Sequence, residues 1–184
     1  MSKIELKKDF SVNGIKFRSF VNLTDEAIEK VRLWRNNERV RRWMYCDHII
    51  GKEEHQSFIQ SLEHDNSNFY WVGEMETDGS SIGVVYLNNV SFLKKKSDIG
   101  IYVDPVKANP GAGRKLMRGL IEIAFEYAGV ESLELEVLCK NRKAVKFYKK
   151  LGFIEKGKKI KVLTDKQEET EVIAMKMAKG MVRI

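Results

Sequence analysis

Asp104–Met117, DPVKANPGAGRKLM, and Asn141–Phe153, NRKAVKFYKKLGF, decide the fold of this 184-residue chain. Ahead of the first, the apolar run Ile99-Gly100-Ile101-Tyr102-Val103 is stopped by Pro105 and a polar loop. Gly111 and Gly113 then open onto a helix in which Leu116, Leu120, Ile121, Ala124 and Phe125 recur at helical spacing as far as Ala128. Ahead of the second, Leu133–Leu138 reads as a strand; Asn141 begins a short helix that carries Tyr148 and ends at Gly152. A helix start leaves unpaired N–H groups and partial positive charge, which attract phosphate, and glycine there lets a ligand approach the backbone. Pro110 stiffens the loop, while Arg114 and Lys115 add charge in the first turn. This is a plausible site for a phosphate-bearing acyl donor. Turn glycines are often structural, so the pair alone leaves both readings open. It is not a P-loop, because no Gly-Lys-Ser/Thr follows. It is not a dinucleotide fingerprint either: a third glycine at the required offset is missing and the preceding strands read as a meander.

Working outward, Ile4–Lys8 and Ile15–Phe20 read as two strands joined by a turn carrying Asn13-Gly14. Thr24 followed by Asp25 and Glu26 starts a helix with Ile28, Val31 and Trp34 on one face. A second helical piece is predicted over Glu38–Tyr45. A third follows Gly51 to about His64 with Phe58, Ile59 and Leu62 inward. Phe69–Met75, Ile82–Val90 and Asp98–Val103 form the meander. Strands at about Phe153–Leu163 and Glu171–Met177 flank a polar turn, Thr164-Asp165-Lys166. The order predicts a mixed α/β (α+β) fold, a central, mostly antiparallel twisted sheet flanked by helices. A chain of this size is most simply one domain, residues 1–184.

Apolar residues at 43% and charged residues at 32% fit a soluble globular protein, and no apolar run reaches the length of a membrane span. The charged start, MSKIELKKDF, lacks a signal-peptide core, so a cytoplasmic location is expected. Cys46 and Cys139 match no zinc or redox spacing and read as reduced, buried thiols; no metal is expected. The net charge of +7 is spread over Arg39–Arg42, Lys94–Lys96, Lys140–Lys150 and Lys156–Lys161. No nucleic-acid motif accompanies it, and a positive field equally serves ligands with several phosphates.

The two opening stretches together resemble the GNAT superfamily of acetyl-CoA-dependent N-acyltransferases. Its pyrophosphate loop is Gln/Arg-x-x-Gly-x-Gly/Ala. Ala108-Asn109-Pro110-Gly111-Ala112-Gly113 matches at both glycines and departs at Ala108. Asn141-x-x-Ala144-x-x-Phe147-Tyr148-x-x-Leu151-Gly152-Phe153 matches the superfamily's later motif, and the likeness runs from about Asn68 to Met177. It implies acetyl-CoA as cosubstrate, held by Ile101, Tyr102, Val103, Asn109, Gly111, Ala112, Gly113 and Arg114, with Asn141 and Phe147 from the second stretch. Transfer from a thioester needs a neutral amine, a polarised carbonyl and a protonated leaving thiolate. The likeness puts the carbonyl against a backbone N–H near Tyr102 or Val103, and Tyr148 where the phenol protonates the departing sulfur. Tyr148 also fits as a packed aromatic, since it shares a helix face with Ala144 and Leu151. Glu136 alternates out of phase with Leu133, Leu135 and Val137; it serves as base or as a solvated strand carboxylate paired with lysine. Transfer is expected to be direct, through a ternary complex. Cys139, the nucleophile nearest the motif, has no histidine in its segment.

The first third should choose the acceptor. Arg35-Asn36-Asn37 and Trp43-Met44-Tyr45 place an arginine, flat rings and a soft thioether close together, with His55 and Phe58 on one later helical face. The bland alternative makes Trp43 and Phe58 core and His55 surface. The run W-R-N-x-x-x-V-R-x-W-M-Y resembles the nucleotide-sugar members, the UDP-amino-sugar N-acetyltransferases of pseudaminic acid biosynthesis. That likeness implies a nucleotide-sugar pocket lined by Arg35, Met44, Tyr45 and Phe58, with Trp43 beside them and His55 slightly offset. Tyr102 matches a family tyrosine, whereas Asp98 stands where an aromatic is expected. Rival readings are an acetyltransferase of a protein N-terminus or polyamine, or a non-catalytic CoA- or RNA-binding module. The partner expected is a small molecule, not nucleic acid or membrane, and the strand-rich C-terminus offers an edge for a homodimer.

Overall fold

The computed structural model describes residues 3–107, 110–163 and 168–181. Asn13 (φ 53°) and Gly14 (φ 75°) both take left-handed backbone, as the tightest hairpin turn requires. They join β1 (Phe10–Val12) to β2 (Ile15–Ser19) with Val12 opposite Ile15. Such a turn pairs the residues that flank it, so the expected strand over Ile4–Lys8 falls outside the register. That segment is instead a 3-10 turn, Lys3–Lys7, whose Leu6 still enters the core.

Thr24 accepts a hydrogen bond from the Ala27 N–H (3.3 Å) and so starts α1 (Asp25–Asn36) where its sequence indicates. Next, α2 covers only Glu38–Arg41, not the predicted span to Tyr45. The Trp43 and Met44 N–H groups turn to carbonyls three residues back, and the Arg41 guanidinium takes the Asp47 carbonyl, which breaks the helix. The third helix, α3 (Lys52–Ser61), buries His55 and Ile59, and Leu62 just past its end continues that stripe, the three spaced four and three apart. Phe58 lies off that stripe at 36% exposure while His55 is at 4%, the reverse of the inward Phe58 expected above and of the bland alternative.

The meander follows as β3 (Phe69–Met75), β4 (Ser81–Ser91) and β5 (Lys96–Val103). Gly111 (φ 83°) then opens α4 (Ala112–Glu122), which widens into a π turn at Ile123–Tyr127. After β6 (Ser132–Leu138), Asn141 accepts from the Ala144 N–H (3.1 Å) and caps α5 (Arg142–Leu151). The chain ends in β7 (Ile154–Leu163) and β8 (Glu168–Ala178); the predicted turn Thr164-Asp165-Lys166 lies outside the described residues.

These strands form one sheet in the order β1-β2-β3-β4-β5-β6-β8-β7. It is antiparallel throughout except between β5 and β6, as the mostly antiparallel expectation had it. Alternation sends Trp71 and Val85 into a core under α4 and α5, and Val72 and Val84 into a second core with Val31, Trp34 and Ile59 from α1 and α3. The parallel pairing stops after three residue pairs, Lys96–Ser132, Ser97–Leu133 and Asp98–Glu134. Beyond it, 99–103 and 135–138 part company and leave a notch in the sheet. Among the described residues no helix is long and apolar enough to cross a membrane.

Candidate active site

The notch is the wall of a cavity of about 620 Å³. Ile101, Tyr102 and Val103 line one side, Glu136, Val137 and Leu138 the other, and Gly113, Asn141, Phe147 and Tyr148 close it from α4 and α5. A strand that loses its neighbour keeps backbone groups in need of partners, and these face the opening. At one end Gly111 holds a left-handed conformation that other residues adopt at a cost. Ala112, Gly113 and Arg114 follow as the first turn, whose N–H groups have no acceptor within the helix. Ala112 turns its methyl into the core and Arg114 is exposed, so neither side chain lines the cavity. Asn109 lies outside the described residues. Before that gap Asp104 fixes the loop by accepting from the N–H groups of Val106 (2.7 Å) and Lys107 (3.1 Å). Arg39 ties α2 to the same loop through the Pro105 carbonyl (3.1 Å). An open strand edge leading to a glycine-opened helix suits a ligand with amides along its length and phosphate at one end, which is the make-up of acetyl-CoA.

Tyr148 is 8% exposed, with its ring edge-on to Phe153 at 5.7 Å. Burial pushes its hydroxyl well above the usual phenol range, so it keeps its proton at neutral pH. Tyr148 packs in the core, as its shared helix face with Ala144 and Leu151 suggested, and it also lines the cavity. Glu136 projects as its alternation predicted and accepts a hydrogen bond from the Tyr45 hydroxyl (3.1 Å). Lys159 (3.4 Å) and Lys161 reach it from β7. Burial resists its ionisation, but the bonds from Lys161 and Tyr45 outweigh that and hold the carboxyl below the usual range. The Lys161 ammonium also lies 4.9 Å from the centre of the Tyr45 ring.

A second cavity, about 360 Å³, opens on the α1–α3 face of the sheet. Met44, Tyr45, Tyr86 and Tyr102 line both spaces and join them. Arg35, His55 and Phe58, which the family resemblance put in one pocket, all line the second cavity, whereas Trp43 lines the first. Three buried polar atoms on this lining have no hydrogen-bond partner: Arg35 Nη1, His55 Nδ1 and Asn88 Oδ1. The other arm of Arg35 is anchored, with Nη2 donating to the Cys46 carbonyl at 2.6 Å. Burial, aided by the Arg32 charge, lowers the His55 pKa and keeps the imidazole neutral.

Tyr70, Tyr86 and Asn88 escaped the reading of the sequence. Tyr70 and Tyr86 face each other across β3 and β4 with rings stacked at 5.0 Å, and the next residue in that row is Gly100 on β5. A Cβ at Gly100 would fall inside the Tyr86 ring, so the glycine makes room for it. Burial and the Tyr70 neighbour push the Tyr86 hydroxyl up to about 12. The available signal was phase, since these polar residues share the face of Val72 and Val84. The two cysteines, expected buried, are half-buried, and Cys46 lies on the second cavity.

The sequence matches the Acetyltransferase (GNAT) family over residues 28–153. It is 33% identical over 139 residues to acetyltransferase PseH of Campylobacter jejuni, covering 76% of this chain and 84% of that protein. The crystal structure of C. jejuni PseH in complex with acetyl coenzyme A superposes with a TM-score of 0.69 at 25% identity, over 90% of this chain and 99% of the other. Spermidine N-acetyltransferase from Vibrio cholerae, in complex with CoA and spermine, shares the fold with a TM-score of 0.80 at 19% identity, over 92% of this chain and 98% of the other. Two motifs on either side of one splayed strand pair, and a family match spanning most of the chain, make this an acetyl-CoA-dependent N-acetyltransferase belonging to the GNAT family.

Proposed function

We propose that the chain, acting as one domain, acetylates the 4-amino group of a UDP-linked amino-dideoxy sugar in a ternary complex. The observation that carries this reading is the second cavity. It presents an anchored guanidinium with a free donor, a neutral imidazole and an amide oxygen, all buried and unsatisfied, among Phe58, Tyr70 and Tyr86. Leaving such groups unpaired costs roughly 1–3 kcal/mol each, so the cavity is built for a ligand that supplies donors, acceptors and a flat face. A nucleotide does so, and the likeness to PseH supports the same acceptor class. A polyamine needs carboxylates. On the described lining of this cavity Glu54 is the one carboxylate, and His48 already engages it (2.8 Å).

Acetyl-CoA supplies an acetyl group activated as a thioester. On this reading the chain's own groups take the following roles. The open edge at Ile101–Val103 and the α4 start hold and polarise the donor, with Gly111, Gly113, Asn141 and Phe147 shaping its path. Glu136, ionised at neutral pH, receives the proton of the acceptor ammonium, directly or through water. Tyr148, kept protonated by burial, holds the proton that the departing sulfur requires. Arg35, His55 and Phe58 bind the acceptor, with Trp43, Met44 and Tyr45 at the junction.

Thiol release from acetyl-CoA, followed in parallel with a UDP-4-amino-dideoxy sugar, spermidine and a peptide N-terminus, tests the reading. Turnover confined to the nucleotide sugar is the expected result. Faster turnover with spermidine or the peptide would overturn the acceptor assignment and leave the chemistry in place.

A further inference from the structure

The segment between α2 and α3 and the first turn of α3 bring together a thiol, an imidazole and a carboxylate that the transfer reaction does not use. Cys46 Sγ lies 2.8 Å from His48 Nδ1, and His48 Nε2 lies 2.8 Å from Glu54 Oε1. Glu54 is itself held in place, since its other oxygen accepts from the Gly51 N–H (3.3 Å) at the start of α3. The hydrogen bond from His48 keeps the Glu54 carboxyl below its usual range, so it remains an acceptor. An ionised acceptor at Nε2 fixes the proton on that nitrogen and leaves the Nδ1 lone pair facing the sulfur. Nucleophile, base and orienting acid therefore stand in the order that activates a thiol. The Arg35 guanidinium, bound to the Cys46 backbone carbonyl, places a positive charge on the same residue.

We propose that Cys46 is a covalent modification site, a thiol activated by His48 and Glu54 that exchanges with small disulfides at the mouth of the second cavity. Half-buried Cys46 and the half-exposed His48 give a reagent access, and the unpartnered Arg35 Nη1 offers a hold for an anionic one. In the exchange the Cys46 S–H proton passes to His48 Nδ1 and the thiolate attacks one sulfur of R–S–S–R. The Sγ–S bond forms as the original S–S bond breaks, and RS⁻ leaves as RSH with the proton from His48. Cys46, Arg35, His55 and Phe58 line the same space, so the mixed disulfide occupies the room of the acceptor. That consequence rests on the acceptor reading above; the reactivity of the thiol does not.

Cys139 is an internal reference, because burial and the neighbouring Glu171 carboxylate push its thiol up and hold it protonated. With iodoacetamide at neutral pH, peptide mass spectrometry should show Cys46 alkylated about tenfold faster than Cys139. The Cys46 rate should fall to that of Cys139 in His48→Gln, and Glu54→Gln should move its pH midpoint upward. Equal rates at the two cysteines, or a Cys46 rate indifferent to His48→Gln, would overturn the proposal. Glutathione disulfide should then abolish transfer while calorimetric acetyl-CoA binding persists, and Cys46→Ser should be immune. A glutathione adduct at Cys46 that still turns over acceptor would overturn the blockade and remove the second cavity from the acceptor path, even with a fast thiol.

Discussion

At the scale of single residues, Tyr148 and Glu136 occupy opposite protonation states at neutral pH for opposite reasons. Burial moves the phenol further from ionisation, whereas Lys161 and Tyr45 outweigh burial and move the carboxyl further toward it. Tyr148→Phe should lower kcat by roughly 10²–10⁴-fold with the acetyl-CoA Kd unchanged; a kcat within twofold of the parent would remove the acid role. Lys161 lies beyond the matched residues and pairs with Glu136, holding its carboxyl down. From β7 both Lys161 and Lys159 face Glu136, the segment after α2 contributes Tyr45, and β8 sets Ala174 opposite. On β6 itself Glu134 is the next carboxylate along that face, engaged by Lys96 and Lys176. Removing a cation that depresses a carboxyl raises its pKa, so protonation on acidification sets in at higher pH. The acidic limb of kcat/KM should thus move to higher pH in Lys161→Met and stay put in Lys161→Arg. A limb unmoved in Lys161→Met would show that Glu136 does not set it.

At the scale of elements, the start of α4 depends on a single backbone conformation. Gly111 has φ 83° with nothing within 4 Å of where a Cβ would sit, so space is not what demands glycine there. Left-handed backbone costs other residues roughly 1–2 kcal/mol, which the loop can relieve by moving its N–H groups out of line. Gly111→Val should therefore weaken acetyl-CoA binding by roughly tenfold in calorimetry, with a small change in Tm; an unchanged Kd would remove the loop from the donor site. The elements were largely legible because their signals are local. The Thr24 and Asn141 caps, the Asn13-Gly14 turn and the heptad-like spacing in α4 act within a few residues. The misses have local competitors: the hairpin register excluded Ile4–Lys8, and the carbonyl partners of Arg35 and Arg41 unwound the helix after Arg41.

At the scale of the molecule, two cavities meet at Met44, Tyr45, Tyr86 and Tyr102, and the second carries polar groups that folding leaves unsatisfied. Binding and stability should then pull apart at Arg35. Arg35→Met should raise the acceptor KM roughly 10- to 100-fold, the worth of a lost charged hydrogen bond, with kcat close to the parent. Its thermal midpoint should change little, because loss of the Nη2 bond to the Cys46 carbonyl is offset by removal of the buried unpaired Nη1 donor. A large drop in Tm with an unchanged KM would make Arg35 structural.

The sequence by itself determined the order and type of most helices and strands, that the sheet is mixed, and that a glycine-opened helix and an Asn-capped helix flank one strand. Those features follow from periodicity and capping, which operate between near neighbours. The tertiary structure alone decided that β5 and β6 separate after Asp98 and Glu134. It also buried His55 in place of Phe58, and brought Tyr45 to Glu136, 91 residues away. Such contacts depend on how whole elements pack and twist against one another, and no local spacing records that. The same packing leaves Arg35 Nη1, His55 Nδ1 and Asn88 Oδ1, from two helices and a strand, lining one space with no hydrogen-bond partner.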